Sequence, residues 1–182
     1  VYVSLPSQLA GHAGPAAGRH PLPDARQFAE TVRMWGIDEG DTIVVYDDDH
    51  GLSAARAWWL LRHAGLRDSM LLDGGLEAWR AAGLPLQPGE VIPVPGTARP
   101  SWGRMPVVDT AGAEAMASGG LLLDARAAER YRGEVEPFDP VAGHIPGARN
   151  VSTAESIAED GRLRPAAELA ERFDAVGVDD AT

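Results

Sequence analysis

A helix-forming stretch occurs twice in this chain, and the second copy brings with it the stop signal and the acidic turn that follow the first. Leu22–Asp41 aligns without gaps on Leu163–Thr182. Leu22 meets Leu163, Ala25 meets Ala166, Ala29 meets Ala170, Glu30 meets Glu171, Gly36 meets Gly177 and Asp38 meets Asp179. Phe28/Leu169, Val32/Phe173 and Ile37/Val178 keep the apolar face. Two unrelated amphipathic helices share a period but have no reason to share a glycine stop and the acidic residue beyond it. Two copies of one fold are therefore expected. On this register the second copy reaches Thr182 just before its equivalent of Ile43–Tyr46, and the counterpart of Asp47 falls about six residues after Thr182.

Local signals describe the repeated unit. Asp24 is placed to cap a helix with Gln27 as its capping-box partner, Phe28, Val32 and Trp35 form its apolar stripe, and Gly36 ends it. The run Thr42–Tyr46 reads as a buried parallel strand. Ser53 is expected to cap a second helix through Leu61, and Ser69–Leu72 reads as a second strand. Asp73-Gly74-Gly75 then turns the chain into a helix from Leu76 to Ala82. In the second copy Thr110–Ser118 reads as a helix and Leu121–Leu123 as a strand ending in Asp124-Ala125-Arg126. This alternation predicts an α/β fold of two domains, each a parallel sheet flanked by helices. Pro85, Pro88, Pro93, Pro95, Pro100 and Pro106 mark residues 85–106 as an extended connector between a first domain (1–84) and a second (107–182).

Composition narrows the chemistry. The 27 acidic residues outweigh 16 basic ones, all of them arginine, for a net charge of −11. Such a field repels phosphate, so neither nucleic acid nor an anionic membrane is the expected partner, while a small anion could still be held by a local arginine cluster. No apolar run approaches the roughly 20 residues of a membrane span. The expected location is cytoplasmic, with export left open because the chain opens on Val1 and not on methionine. Zero cysteines means no disulfide, thiolate metal site or thiol nucleophile within these residues.

Three segments carry a family resemblance. Leu72-Asp73-Gly74-Gly75-Leu76-Glu77-Ala78-Trp79 followed by Gly83-Leu84-Pro85, Leu122-Leu123-Asp124-Ala125-Arg126 with Glu129-Arg130-Tyr131-Arg132-Gly133-Glu134, and Gly143-His144-Ile145-Pro146-Gly147-Ala148-Arg149-Asn150 together resemble the tandem-domain rhodaneses. That resemblance implies a sulfurtransferase moving a sulfane sulfur from thiosulfate or 3-mercaptopyruvate to cyanide or a thiol, with no metal or organic cofactor. Its partners would be a small anionic sulfur donor and a thiophilic acceptor. It implies a cysteine nucleophile in the loop after the second domain's central strand, at that address past Thr182, where a helix N-terminus lowers a thiol pKa and holds a persulfide. Asp47 stands at the corresponding place in the first domain and cannot form a persulfide, which implies a degenerate, non-catalytic site there.

By the same resemblance Arg130 is the residue expected to bind the anionic donor, since a guanidinium suits a sulfonate-like or carboxylate group. Arg126 and Arg132 are its nearest rivals. Asp124 is expected either to orient Arg126 or Arg130 or to cap a turn. His144 is expected to brace its loop by hydrogen bonding and not to act as a base. Trp58, Trp59 and Trp79 are expected in the core. One alternative is a rhodanese-like binding module without catalysis. A remote one is a Mg²⁺-dependent phosphotransferase using Asp47 and Asp49, which leaves the repeat and the Gly-His-Ile-Pro-Gly turn unexplained.

Overall fold

The computed structural model describes residues 1–14 and 17–178. Two compact units are present, Val1–Pro106 and Val107–Thr182.

In the first unit a short helix α1 (Leu5–Gln8) precedes α2 (Ala25–Met34). The Asp24 carboxylate accepts the backbone N–H groups of Arg26 and Gln27 at 2.9 and 3.0 Å, satisfying two donors that the helix start leaves unpaired. Phe28, Val32 and Trp35 lie on one side of α2 and are all buried. Gly36 follows at φ +79, as far from the first residue of α2 as Gly177, at φ +83, is from the first residue of a later helix. The chain then forms β1 (Ile43–Val45), α3 (Leu52–His63), β2 (Ser69–Leu71) and α4 (Gly75–Ala81). β1 and β2 are parallel, with Ile43 opposite Ser69 and Val45 opposite Leu71. Helix α3 crosses between them, and its Leu60 and Leu61 close the core against Phe28, Val32 and Trp35. Phe28 stands edge-on to Trp35 and Trp102, with ring centroids 5.8 and 5.6 Å apart.

Two local expectations are corrected. Ser53 is not the cap of α3; Gly51 is, at φ +86, and the helix start is satisfied by the Asp47 carboxylate. Val44 is 52% exposed, so β1 is covered on one face among the described residues and not on both.

The proline-rich stretch divides in two. Residues 85–92 are exposed. From Pro93 onward the chain is stitched to the first unit: Gly96 and Ala98 donate their N–H groups to the carbonyls of Arg33 and Ile37, and Ser101 and Arg104 donate to those of Ala64 and His63. Thr97 adds its N–H and hydroxyl to Asp38, both at 2.8 Å. Ala98 is wholly buried. Proline removes donors at its own positions, but the residues between the prolines supply them, and Gly96 lies so close to Ile37 that a Cβ there would collide with its backbone. The connector expected over 85–106 is in its second half part of the first unit.

The second unit contains α5 (Thr110–Gly119), β3 (Leu123–Asp124), α6 (Ala128–Tyr131), β4 (Arg149–Asn150), a 3₁₀ turn (Thr153–Ser156) and α7 (Ala166–Asp174). β3 and β4 are again parallel, Leu123 opposite Arg149 and Asp124 opposite Asn150. Leu169 and Phe173 on α7, the counterparts of Phe28 and Val32, are half-buried here. Arg149 ties down the end of α7 by donating to the Val176 carbonyl at 2.6 Å. Asp179, the last matched residue of the repeat with a distinctive side chain, lies outside the described residues.

Burial separates two apolar residues of the first unit. Leu60→Ala should cost about 2–5 kcal/mol in urea denaturation, the cost of opening a cavity in a packed core. Val44→Ala, on the exposed face of β1, should cost no more than about 0.5 kcal/mol.

Candidate functional site

The loop after β3 is fixed before any of its side chains acts. Asn150, on the neighbouring strand, donates its side-chain amide to the carbonyls of Asp124 and Arg126 at 2.9 and 2.8 Å. Val151 and Thr153 donate backbone N–H groups to the carbonyls of Asp124 and Ala125, both at 3.0 Å. The turn residues Asp124-Ala125-Arg126 are thus held by the strand beside them.

On that loop Arg126 folds back over Asp124. Its Nε–H donates to both carboxylate oxygens, at 3.0 and 3.1 Å, and Nη2 donates to Oδ2 at 2.6 Å. The backbone N–H of Arg126 also donates to Asp124 Oδ1, at 3.0 Å. Nη2 further donates to the Gly143 carbonyl at 2.7 Å. The arginine therefore links the β3 loop to the Gly-His-Ile-Pro-Gly turn. The Arg126 hydrogen bonds hold the Asp124 carboxyl below its ordinary value despite partial burial, and Asp124 in turn raises the Arg126 guanidinium.

Arg130, at the end of α6, sits in a second carboxylate grip. Its Nη2 donates to Glu136 Oε1 at 2.8 Å and to Asp139 Oδ2 at 3.0 Å, and Nε donates to Glu136 Oε2 at 3.3 Å. The Phe138 ring lies 5.2 Å from the guanidinium carbon. Glu136 also accepts the backbone N–H groups of Phe138 and Asp139, both at 3.1 Å, and touches Arg126 at 3.5 Å. The Arg130 hydrogen bonds hold the Glu136 carboxyl below its ordinary value, against desolvation. Arg132, the other rival, pairs with Glu134 at 2.7 Å with both side chains more than half exposed.

His144 stacks on Tyr131, ring centroids 3.7 Å apart, and its Nδ1 lies 2.7 Å from the Tyr131 carbonyl. A carbonyl only accepts, so that nitrogen carries the proton. Tyr131 in turn donates its hydroxyl to the Ala148 carbonyl at 2.8 Å. Gly147, at φ +90, is pressed against Ala117, whose carbonyl a Cβ would strike. An open depression of about 360 Å³ lies over this assembly, lined by Asp124, Arg126 and residues 141–145. Of the residues singled out from sequence, Asp124, Arg126 and His144 border it; Arg130 is not in its lining and is joined to Arg126 through Glu136.

Asp47, in the first unit, is spent on structure. Its Oδ1 accepts the N–H groups of Asp49 and Gly51 at 3.1 and 2.8 Å, and Oδ2 accepts that of Ala54 at 2.8 Å. Burial pushes this carboxyl up, but the backbone donors of Ala54, Gly51 and Asp49 outweigh it and hold it low. Its carbonyl accepts the Leu76 N–H at 2.9 Å, in a turn where Gly75, at φ +55, leaves no room for a Cβ. With both oxygens engaged by backbone donors, Asp47 is not presented as a nucleophile, and the phosphotransferase arrangement of Asp47 and Asp49 receives no geometric support.

These features define an α/β protein of parallel strands in which the loop after β3 carries a network of arginine–carboxylate pairs. A rhodanese-like domain profile matches residues 12–82. A probable 3-mercaptopyruvate sulfurtransferase of Pseudomonas aeruginosa is 48% identical over 162 residues, covering 87% of this chain and 57% of the relative. A putative thiosulfate sulfurtransferase, SseB, of Mycobacterium tuberculosis is 46% identical over 165 residues, covering 88% and 58%. The crystal structure of Escherichia coli SseA, a 3-mercaptopyruvate sulfotransferase, superposes with a TM-score of 0.85 at 32% identity, covering 98% of this chain and 67% of that one. The chain belongs to the rhodanese family, with its α/β fold of parallel strands flanked by helices. It spans somewhat more than half the length of the two sequence relatives.

No local rule in the sequence assigns a role to Glu136, Asp139, Asn150 or Tyr131. The acidic spacing Glu134-x-Glu136-x-x-Asp139 just after Arg130 was the available signal for the first two. Because Asp124 and Glu136 titrate below their ordinary values when folded, both pairs stabilise the native state at neutral pH. That contribution is lost as pH falls through the folded-state values, below about 4. The urea midpoint of the wild type should therefore fall as the pH drops below about 4. Glu136→Gln should start lower at pH 7 and fall less over the same range.

Proposed function

We propose that the protein containing this chain is a sulfurtransferase that moves a sulfane sulfur from thiosulfate or 3-mercaptopyruvate to a thiophilic acceptor through a cysteine persulfide. The observation that carries this reading is the 46–48% identity to a probable 3-mercaptopyruvate sulfurtransferase and a putative thiosulfate sulfurtransferase, across nearly nine-tenths of the chain. In this reading the chain holds parts of two rhodanese-like domains. The first is non-catalytic, with Asp47 at the degenerate position. The second supplies the site, with its nucleophilic cysteine about six residues past Thr182 on the register of the repeat.

The chemistry follows from the residue types. The thiolate attacks the sulfane sulfur; the bond from that sulfur to the rest of the donor breaks, and its electron pair leaves with sulfite or with the enolate of pyruvate, which then takes a proton. Cyanide or a thiol next attacks the outer sulfur of the persulfide, and the thiolate departs. Arg130 is the donor-binding residue in this scheme, and Arg126, held by Asp124 and fronting the depression, supports it. His144 maintains the wall of the site through Tyr131 and serves as no base.

The test is turnover by the full-length protein. Thiosulfate or 3-mercaptopyruvate with cyanide should give thiocyanate, and a persulfide should appear on the enzyme by mass spectrometry when acceptor is omitted. Arg130→Gln should raise KM for the donor about tenfold or more, the loss expected for one charge-assisted contact. Absence of thiocyanate with both donors would favour a rhodanese-like binding module instead.

A further inference from the structure

The guanidinium groups of Arg126 and Arg130 face three carboxylates, those of Asp124, Glu136 and Asp139. An anionic donor approaching Arg130 therefore enters a place where carboxylate already exceeds cation. The three acids are not equivalent. Asp124 is 12% exposed at the side chain and shares three hydrogen bonds with the Arg126 guanidinium. Glu136 is 5% exposed and fixed by Arg130, Arg126 and two backbone N–H groups. Asp139 is 40% exposed and reaches Arg130 through Oδ2, on an Nη2 that Glu136 already shares. It sits in the run Pro137-Phe138-Asp139-Pro140, where proline on either side restricts the backbone, and Phe138 flanks the same guanidinium.

We propose that Asp139 is a displaceable counter-ion on Arg130, occupying the position of the donor's anionic group, and that it sets the affinity of the site for anionic donors. Two carboxylates build the site, and the third competes with the ligand. A partly exposed ion pair is weak enough for a ligand carboxylate or sulfonate to replace, whereas Glu136 is too deeply bonded to leave. This inference rests on the reading of Arg130 as the donor-binding residue.

The test uses the full-length protein and two readouts. The first is pyruvate and thiosulfate binding by calorimetry, which needs no turnover; the second is KM for the sulfur donors. Asp139→Asn should tighten pyruvate and thiosulfate binding about three- to tenfold, with a matching fall in KM, and the gain should shrink as salt is raised. In an Arg130→Gln background the same substitution should change nothing, because the charge it competes for is gone. Unchanged or weaker anion binding in Asp139→Asn would overturn the proposal, as would an equal gain in the Arg130→Gln background, which would mark a general charge effect. A protein that turns over no donor but binds pyruvate more tightly as Asp139→Asn would sink the sulfurtransferase reading and leave this inference standing.

Discussion

Asn150 uses one amide nitrogen to reach two carbonyls, those of Asp124 and Arg126, across the gap between parallel strands. A loop leaving the carboxyl end of a strand runs out of ladder partners; here Val151 and Thr153 still hold the carbonyls of Asp124 and Ala125, and the amide adds that of Arg126. The amide closes that gap from β4, whose register is itself fixed by Leu123 opposite Arg149 and Asp124 opposite Asn150. Everything built on the loop inherits its position: the Asp124–Arg126 pair, the Arg126 bond to the Gly143 carbonyl, and through Glu136 the placing of Arg130. The asparagine that ends the family's turn motif is thereby explained, because aspartate has no donor to offer either carbonyl.

Asp47 and Asp124 are both aspartates at the end of a parallel strand, and each is neutralised in its own way. In the first unit the donors are the N–H groups at the start of α3, so the charge is absorbed by backbone. In the second the donor is a side chain, Arg126, which reaches over the acid and on to the opposite wall. The first solution caps a helix. The second leaves a guanidinium at the edge of a depression, where a ligand can meet it.

The sequence was legible where a physical rule acts over a short, fixed spacing. Asp24, the Phe28–Val32–Trp35 stripe and Gly36 give α2 directly, and the glycine-bounded runs give the strands within about two residues. The Gly74-Gly75 turn was visible because both residues take a positive φ that favours glycine, and a Cβ on Gly75 would strike the Asp47 carbonyl. Partners set by the fold were not visible. Nothing local says that Asp47, and not Ser53, satisfies α3, since the deciding bond spans from Asp47 to Ala54 around a loop. Nor does a proline-rich composition reveal that Ala98 is buried or that Thr97 reaches Asp38. Arg130 could be singled out by resemblance, but its grip by Glu136 and Asp139 depends on how a loop folds back.

The contribution of the arginine–carboxylate network in the second unit to stability near neutral pH does not by itself explain why charged groups stand there. Moving charges out of water costs energy that attraction between them only roughly restores, and well-packed apolar side chains of similar size often do better. The network does restrict geometry. Arg126 is fixed at Asp124 and at the Gly143 carbonyl, and Arg130 at both Glu136 oxygens, so each guanidinium loses most of the rotamer freedom a long side chain would otherwise keep. That ordering cost is met on folding and not on ligand binding, which favours recognition of a small anion too slight to order two arginines for itself. The carboxylates that do the ordering also oppose the anion. If Arg130 holds an anionic donor as proposed, the acids that position the guanidiniums have to outlast the one that yields, and burial ranks Glu136 and Asp124 well ahead of Asp139.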